Sequence, residues 1–363
     1  MQNILLPGGN NVKLYTPVEL KAHLDEYVIG QDFAKRIISA AVYNHFKRLV
    51  IKSANIDVTV DKSNILLAGP SGCGKTAIIK CIADYMGIPY YIGDATSITQ
   101  AGYVGDDVES LLVGLLRACD YNLERAQTGI VFIDEVDKLA KRIANEHISR
   151  DVVGEGVQQA LLKIVEGNLV GVPPQGGRKH PEQELLYVDT TDILFVGSGA
   201  FAGMEDIIKK RILPEARIGY NKKDIPKSYN ESEIFEYMSQ EDLKEFGFIP
   251  EFIGRFPIIA NINQLNVDDF VRIATEPKNN IVDQYAALLA LDDIHFSIEE
   301  DAIRYIAKMA IKLKTGARAL RSLFEDIMKD YMFELPGSGQ TDLIITKEIA
   351  NKKLAKRYQS FAA

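Results

Sequence analysis

Two periods of apolar and polar residues succeed one another along this chain, and the changes from one to the other mark its elements. Ile65-Leu66-Leu67, Tyr90-Tyr91-Ile92, Ile130-Val131-Phe132-Ile133, Ile193-Leu194-Phe195-Val196 and Ile258-Ile259 are short β-prone runs. Helical patterns separate them, and this alternation predicts a parallel sheet with helices on its faces. Ahead of the first strand, Thr16-Pro17 reads as an N-cap followed by proline at the first helical position, opening a short helix that closes near Tyr27. From Asp32 onward, Phe33, Ile37, Ile38, Ala41, Val42 and Leu49 fall largely on one helical face, which predicts a helix laid against a core. Residues 51–62 are polar and aperiodic and read as a surface loop. A single helix is expected over 107–126. Residues 167–180 and 213–231, rich in Pro and Gly, read as long loops, and such loops in a compact domain are usually functional. After Asn263 the pattern becomes helical over 267–291, 299–313 and 317–335, with short strands at 294–297 and 343–346. The expected class is α/β: a five-stranded parallel sheet flanked by helices in a large domain, 1–262, then a smaller, mostly helical domain with a short sheet, 263–363.

Length and composition narrow the function classes. A chain of 363 residues fits two packed cores better than one. With 47% apolar and 25% charged residues it reads as folded, not fibrous or disordered. Forty-two Lys and Arg against fifty Asp and Glu leave a net charge of -8, which repels phosphate backbones, so no nucleic-acid partner is expected. Cys73, Cys81 and Cys119 are odd in number and lack C-x-x-C spacing, so neither a disulfide framework nor a zinc site is signalled and a reducing, cytoplasmic setting is expected. No apolar run reaches the roughly eighteen residues that span a bilayer, and residues 1–15 lack the basic start and apolar block of a secretion signal.

The chemistry concentrates in a few motifs. Gly69-Pro70-Ser71-Gly72-Cys73-Gly74-Lys75-Thr76 matches G-x-x-x-x-G-K-[ST] directly after a predicted strand and before a helical pattern. In such a loop backbone N–H groups converge on phosphate oxygens, Lys75 reaches the β and γ phosphates of ATP, and the Thr76 hydroxyl ligates magnesium. The run Ile130–Ile133 ends in Asp134-Glu135 at the carboxyl edge of the sheet. Asp134 is placed to hold magnesium through its shell, and Glu135 to orient and polarise an attacking water. Arg255 and Arg318 each lie in a Gly-flanked segment and suit charge stabilisation on a transferring phosphoryl group, although unaided an arginine in such a place reads as a surface or ion-paired residue. Tyr103 stands between Gly102 and Gly105; alone it reads as a core aromatic at a turn, and functionally as a mobile grip on a passing chain. Arg178-Lys179-His180 alone reads as a solvated basic loop tip.

Taken together with Tyr27-Val28-Ile29-Gly30-Gln31, the block Arg150–Lys163, Pro173–Pro181, Ile249–Arg255 and Thr315-Gly316-Ala317-Arg318, these motifs resemble the ClpX family of AAA+ unfoldases along nearly the whole chain. The resemblance implies an AAA+ P-loop domain, and a homohexamer that hydrolyses ATP with magnesium to draw tagged or unfolded protein substrates, some brought by adaptors, through a central pore into the ClpP peptidase. It implies that Val28 and Ile29 contact adenine, that Arg255 is an arginine finger reaching a neighbour's nucleotide, and that Arg318 senses the γ phosphate. It also implies that Tyr103 and Val104 form a pore loop, that Arg150 lies near a second one, and that Arg178, Lys179 and His180 surround the pore entrance. Hydrolysis would change the angle between the two domains about a hinge near 261–265. Two departures stand out. The four zinc-binding cysteines that usually open the family's sequence do not precede Thr16, so no zinc is expected in this chain and adaptor binding through that domain is in doubt. The peptidase-docking Ile-Gly-Phe is here Ile218-Gly219-Tyr220, which adds a hydroxyl in need of a polar partner. The rival readings are a nucleic-acid motor and a chaperone or scaffold that holds nucleotide without turning it over.

Overall fold

The computed structural model describes residues 2–5, 11–54, 57–99, 107–140, 152–173, 185–212 and 231–358. The chain divides into two compact units. The first comprises Met1–Lys21, Asp32–Pro70 and Lys75–Asn263; the second comprises Ala22–Gln31, Ser71–Gly74 and Gln264–Ala363.

The first unit opens with a hairpin of β1 (Gln2–Leu5) and β2 (Asn11–Leu14), then carries the start of α1 (Pro17–Asp25) and all of α2 (Asp32–Ser53). Its central sheet is built from β3 (Ile65–Ala68), β4 (Tyr90–Asp94), β5 (Ile130–Asp134), β8 (Leu194–Gly199) and β9 (Ile258–Asn261). Between these run α3 (Lys75–Met86), α4 (Ser110–Ala118), α5 (Leu123–Ala126), α6 (Val152–Val165) and α7 (Met204–Ile212), then α8 (Gln240–Phe246) and α9 (Pro250–Arg255). An antiparallel pair, β6 (Leu169–Val172) and β7 (Leu186–Asp189), lies between α6 and β8. The sheet order is β4-β5-β8-β3-β9 and every pairing is parallel, as the alternation of strand and helix patterns predicts. β3 and β8 are buried throughout, because helices cover both faces of a parallel sheet and leave no wet side.

Local chemistry explains where the sequence-based bounds differ. The expected helix over 107–126 breaks in two because Asp120 and Tyr121 adopt left-handed backbone, and Asn122 then caps α5 by accepting from the Arg125 N–H. α2 runs to Ser53, into the stretch expected to be loop. β6 occupies part of the expected 167–180 loop. The first hairpin has a legible signal, Pro7-Gly8-Gly9 between two apolar runs, that the helical and parallel patterns overshadow.

Two internal networks tie the first unit together. A ladder of rings runs through the first unit: Phe201 lies 5.4 Å from Phe246 and 6.0 Å from Phe248, Phe248 5.5 Å from Phe252, and Phe252 4.9 Å from Phe256, next to Arg255. A polar stripe docks α2 on the turn before β8. His45 Nε2 donates to the Asp192 carbonyl (3.1 Å), Arg48 donates to the Thr191 carbonyl (2.9 Å) and Asp192 Oδ1 (3.0 Å), and Lys52 pairs with Asp192 Oδ2 (2.7 Å). Burial, aided by the Arg48 charge, pushes the His45 pKa down to about 3. Burial and Arg48 likewise push Lys62, which donates to the Thr190 carbonyl, down to about 7.

The second unit contains α10 (Val267–Thr275), α11 (Ile281–Ala290), α12 (Glu300–Lys312), α13 (Arg318–Glu334) and α14 (Lys347–Tyr358), with β10 (His295–Ile298) parallel to β11 (Asp342–Ile345). The helix expected over 267–291 is two helices. Pro277 offers no N–H, Asn279 is left-handed, and Asn280 caps α11 by accepting from Asp283 N–H. Nearly buried Asp326 on α13 accepts from Tyr358 and Arg357 at the end of α14, and these bonds outweigh burial to hold its pKa below the usual carboxylate range. Among the described residues no helix is long and apolar enough to cross a membrane.

Candidate active site

In the first unit the sheet's register gathers the reactive groups at the carboxyl ends of its central strands. β3 and β8 pair Ala68 with Gly199, and β5 and β8 pair Ile133 with Gly197, so the loop after Ala68, the Asp134 carboxylate and the Ser198 hydroxyl meet at one edge. The loop leaves the strand through a tight passage. Gly69 N–H donates to the Gly199 carbonyl (3.3 Å), and a Cβ at Gly69, whose φ is +151°, would stand 2.1 Å from the Ile262 carbonyl oxygen. Only glycine fits there.

Lys75 begins α3 and is buried, with Nζ donating to the carbonyls of Gly69 (2.6 Å) and Pro70 (2.8 Å). An ammonium with this little water needs such acceptors, and phosphate oxygens are stronger ones. Thr76, the next residue, is half-buried. Asp134 ends β5 half-buried, its Oδ1 accepting from Ser198 Oγ (3.0 Å) and from the Glu135 N–H (3.0 Å). Its Oδ2 has no partner among the described residues, which suits a ligand to a hydrated cation. Glu135 is exposed and has φ 57° and ψ 31°, a left-handed conformation that costs a side chain of this kind about 1 kcal/mol. That turn ends the strand abruptly and leaves its carboxylate in solvent beside Asp134. No group of three or more metal-ligating side chains occurs among the described residues.

In the second unit Ser71–Gly74 packs against the start of α13. Ala317 N–H donates to the Gly72 carbonyl (2.9 Å), and a Cβ on Gly72, at φ +74°, would lie 2.4 Å from the Thr315 carbonyl oxygen. Gly316 faces Gly72 in turn. Two glycines thus permit a backbone approach that any side chain would block. Arg318 is exposed at the first turn of α13. Val28 and Ile29 are buried, and a Cβ on Gly74 would be 3.7 Å from Val28 Cγ1. Lys278 secures this segment through its N–H to the Glu26 carbonyl (2.8 Å) and its ammonium to the Glu26 carboxylate (2.7 Å), which raises the pKa of Lys278 and lowers that of Glu26.

Arg255 ends α9 in the first unit, half-exposed, against Glu166. Glu166, Ser198, Asn64 and Gln158, which also hold these elements, do not stand out in the sequence. Ser198 had a signal, a lone hydroxyl between Gly197 and Gly199 where an apolar strand run closes. Gln158 and Asn64 had a weaker one, an amide in an apolar neighbourhood. Glu166 had none, since a charged residue after a helix is ordinary. Tyr103, Val104, Arg150, Arg178, Lys179, His180, Ile218, Gly219 and Tyr220 lie outside the described residues.

A glycine-walled loop ahead of a helix, a buried lysine at that helix's start and a strand-end Asp-Glu pair, on a parallel sheet of this order, define a P-loop ATPase of the AAA+ class. Residues 60–259 match the AAA domain (Cdc48 subfamily), and residues 265–357 match the C-terminal D2-small domain of ClpB protein. The ATP-dependent Clp protease ATP-binding subunit ClpX of Treponema denticola is 48% identical over 96% of this chain and 85% of its own length. The proteins of the same name from Bacteroides thetaiotaomicron and Porphyromonas gingivalis are 47% and 48% identical, over 96% and 95% of this chain and 84% of each relative. The chain belongs to the ClpX family.

Proposed function

We propose that this protein is the ATP-hydrolysing subunit of a Clp protease, an unfoldase that works as a cytoplasmic homohexamer and passes tagged or unfolded proteins to the ClpP peptidase. The observation that carries the reading is the strand register that sets Lys75, Asp134, Glu135 and Ser198 at one sheet edge in a chain of this family. In this assignment the large domain is 1–262 and the small one 263–363, hinged near 261–265. Gly69 to Thr76 cradle the phosphates, and Val28 and Ile29 contact adenine. Lys75 exchanges its two carbonyl partners for β- and γ-phosphate oxygens. Thr76 and Asp134 are the residues that would hold magnesium, whose charge offsets that of the phosphoryl group. Ser198 keeps the Asp134 carboxylate from turning. Glu135 draws a proton from the attacking water, and Arg318 and a neighbour's Arg255 stabilise charge on the transferring phosphoryl group.

Tyr103 and Val104 grip the substrate chain, with Arg150 near a second pore loop and Arg178, Lys179 and His180 attracting an acidic chain end at the entrance. Ile218, Gly219 and Tyr220 dock the peptidase. The decisive experiment is ATP turnover against protein concentration, with and without a tagged unfolded substrate, in the parent and in Arg255→Ala. Turnover that rises cooperatively, responds to substrate and collapses in the variant is the expected result. Turnover indifferent to all three would leave a P-loop ATPase without a ring, and stimulation by single-stranded DNA in place of protein would move the activity to a nucleic-acid motor.

A further inference from the structure

The first unit holds α9 at both ends. Gln158, fully buried on α6, donates to the Leu139 carbonyl (2.7 Å) and accepts from the Ile249 N–H (2.9 Å), just ahead of α9. At the far end Asn64, also buried, accepts from the Phe195 N–H (3.1 Å) and donates to the Arg255 carbonyl (2.8 Å). The main chain of Arg255 is therefore pinned to the central sheet.

Its guanidinium is directed by a different group. Glu166 follows the last residue of α6, and its N–H closes that helix on the Leu162 carbonyl (3.0 Å). Arg255 Nε donates to Glu166 Oε1 (3.0 Å), and the Nη2 nitrogen lies 2.8 Å from the same oxygen. The carboxylate thus engages only the Nε–Nη2 side of the planar fork. Nη1 has no partner among the described residues. The pair is open to water, with side-chain exposures of 51% and 37%, so it restrains direction while costing little to rearrange.

We propose that Glu166 is a positioning residue for Arg255, fixing the plane of the guanidinium through its Nε–Nη2 side and leaving the Nη1 end to meet a phosphate on a neighbouring subunit. The inference rests on the assignment of Arg255 as an arginine finger. A group already oriented contributes most in the transition state, so its loss falls on kcat and spares the KM for ATP.

The test uses the full chain, with assembly followed by sedimentation and turnover measured across ATP concentrations, for Arg255→Ala, Glu166→Ala, Glu166→Gln and the double alanine variant. Glu166→Ala is expected to lower kcat about fivefold with little change in KM, the size of one charge-assisted contact. Glu166→Gln recovers part of it, because an amide oxygen still accepts from Nε. In the Arg255→Ala background, Glu166→Ala adds nothing. An inactive Arg255→Ala beside a fully active Glu166→Ala would overturn the positioning role and leave the finger in place. Parent-like turnover in Arg255→Ala would remove the finger assignment itself. Equal losses from Glu166→Ala in both backgrounds, or a gain in turnover, would make Glu166 a structural contact or a restraint and overturn the proposal.

Discussion

At Glu135 the chain accepts a strained backbone where glycine or asparagine would be more comfortable, and the site supplies the reason. A left-handed residue directly after β5 turns the chain so that two successive carboxylates serve different ends: Asp134 faces Ser198, and Glu135 faces water. For Glu135→Gln we expect ATP binding retained and hydrolysis lowered at least a hundredfold, since the amide keeps the shape and loses the base. Equilibrium binding of ATP together with single-turnover hydrolysis checks this, and hydrolysis at the parent rate would strip Glu135 of its role. The same residues show what a sequence makes legible. Gly69 to Thr76 and Asp134-Glu135 stand out in the sequence because a phosphate-binding motif has a fixed spacing and a fixed strand-loop-helix setting. Ser198 could not be ranked, because only the β5–β8 register turns an ordinary hydroxyl into the partner of Asp134.

Among the elements, the strands of the central sheet were readable because a parallel sheet buried on both faces leaves unbroken apolar runs. Helix ends were less so, and the physical cause is local: at Asp120-Tyr121 and at Pro277-Asn279-Asn280 the breaking residues sit inside runs whose apolar helical pattern continues on both sides, so the pattern hides the stop. α2 shows a second kind of illegibility. Its apolar stripe was plain, while nothing in the sequence marks His45, Arg48 and Lys52 as partners of the turn at Thr191-Asp192, which lies about 140 residues away along the chain. That docking carries a pH signature. His45 stays neutral in the fold, with a pKa near 3 against an ordinary 6.5, so between those values the unfolded chain binds a proton that the folded chain does not. Stability therefore rises with pH across that window and is lost as pH falls through it. His45→Gln keeps a donor for the Asp192 carbonyl and removes the titration. Its thermal midpoint should fall less steeply than the parent's between pH 7 and pH 4.5, by up to about 1.4 kcal/mol per pH unit in the underlying free energy. Parallel curves for the two proteins would exclude His45 as the source.

For the whole molecule, the acidic balance of -8 sets a long-range field that repels phosphate backbones, in keeping with the protein substrates proposed above. For Tyr103→Ala we expect ATP turnover preserved while unfolding of a tagged fluorescent substrate slows severely; unchanged unfolding would return Tyr103 to a packing role. The ring ladder from Phe201 to Phe256 sets a mechanical tolerance on all of this. Its rings touch in succession from the residue just beyond β8 to the neighbour of Arg255, so, on the finger role proposed for Arg255, slack introduced at one end is expected to disturb its aim at the other. Phe201→Leu, a change of about 1 kcal/mol in a packed core, should leave the fold intact and reduce turnover several-fold in assembled protein, with no such loss in the Arg255→Ala background. An arginine half-exposed at the protein's surface would then owe its accuracy to a phenylalanine that never meets solvent.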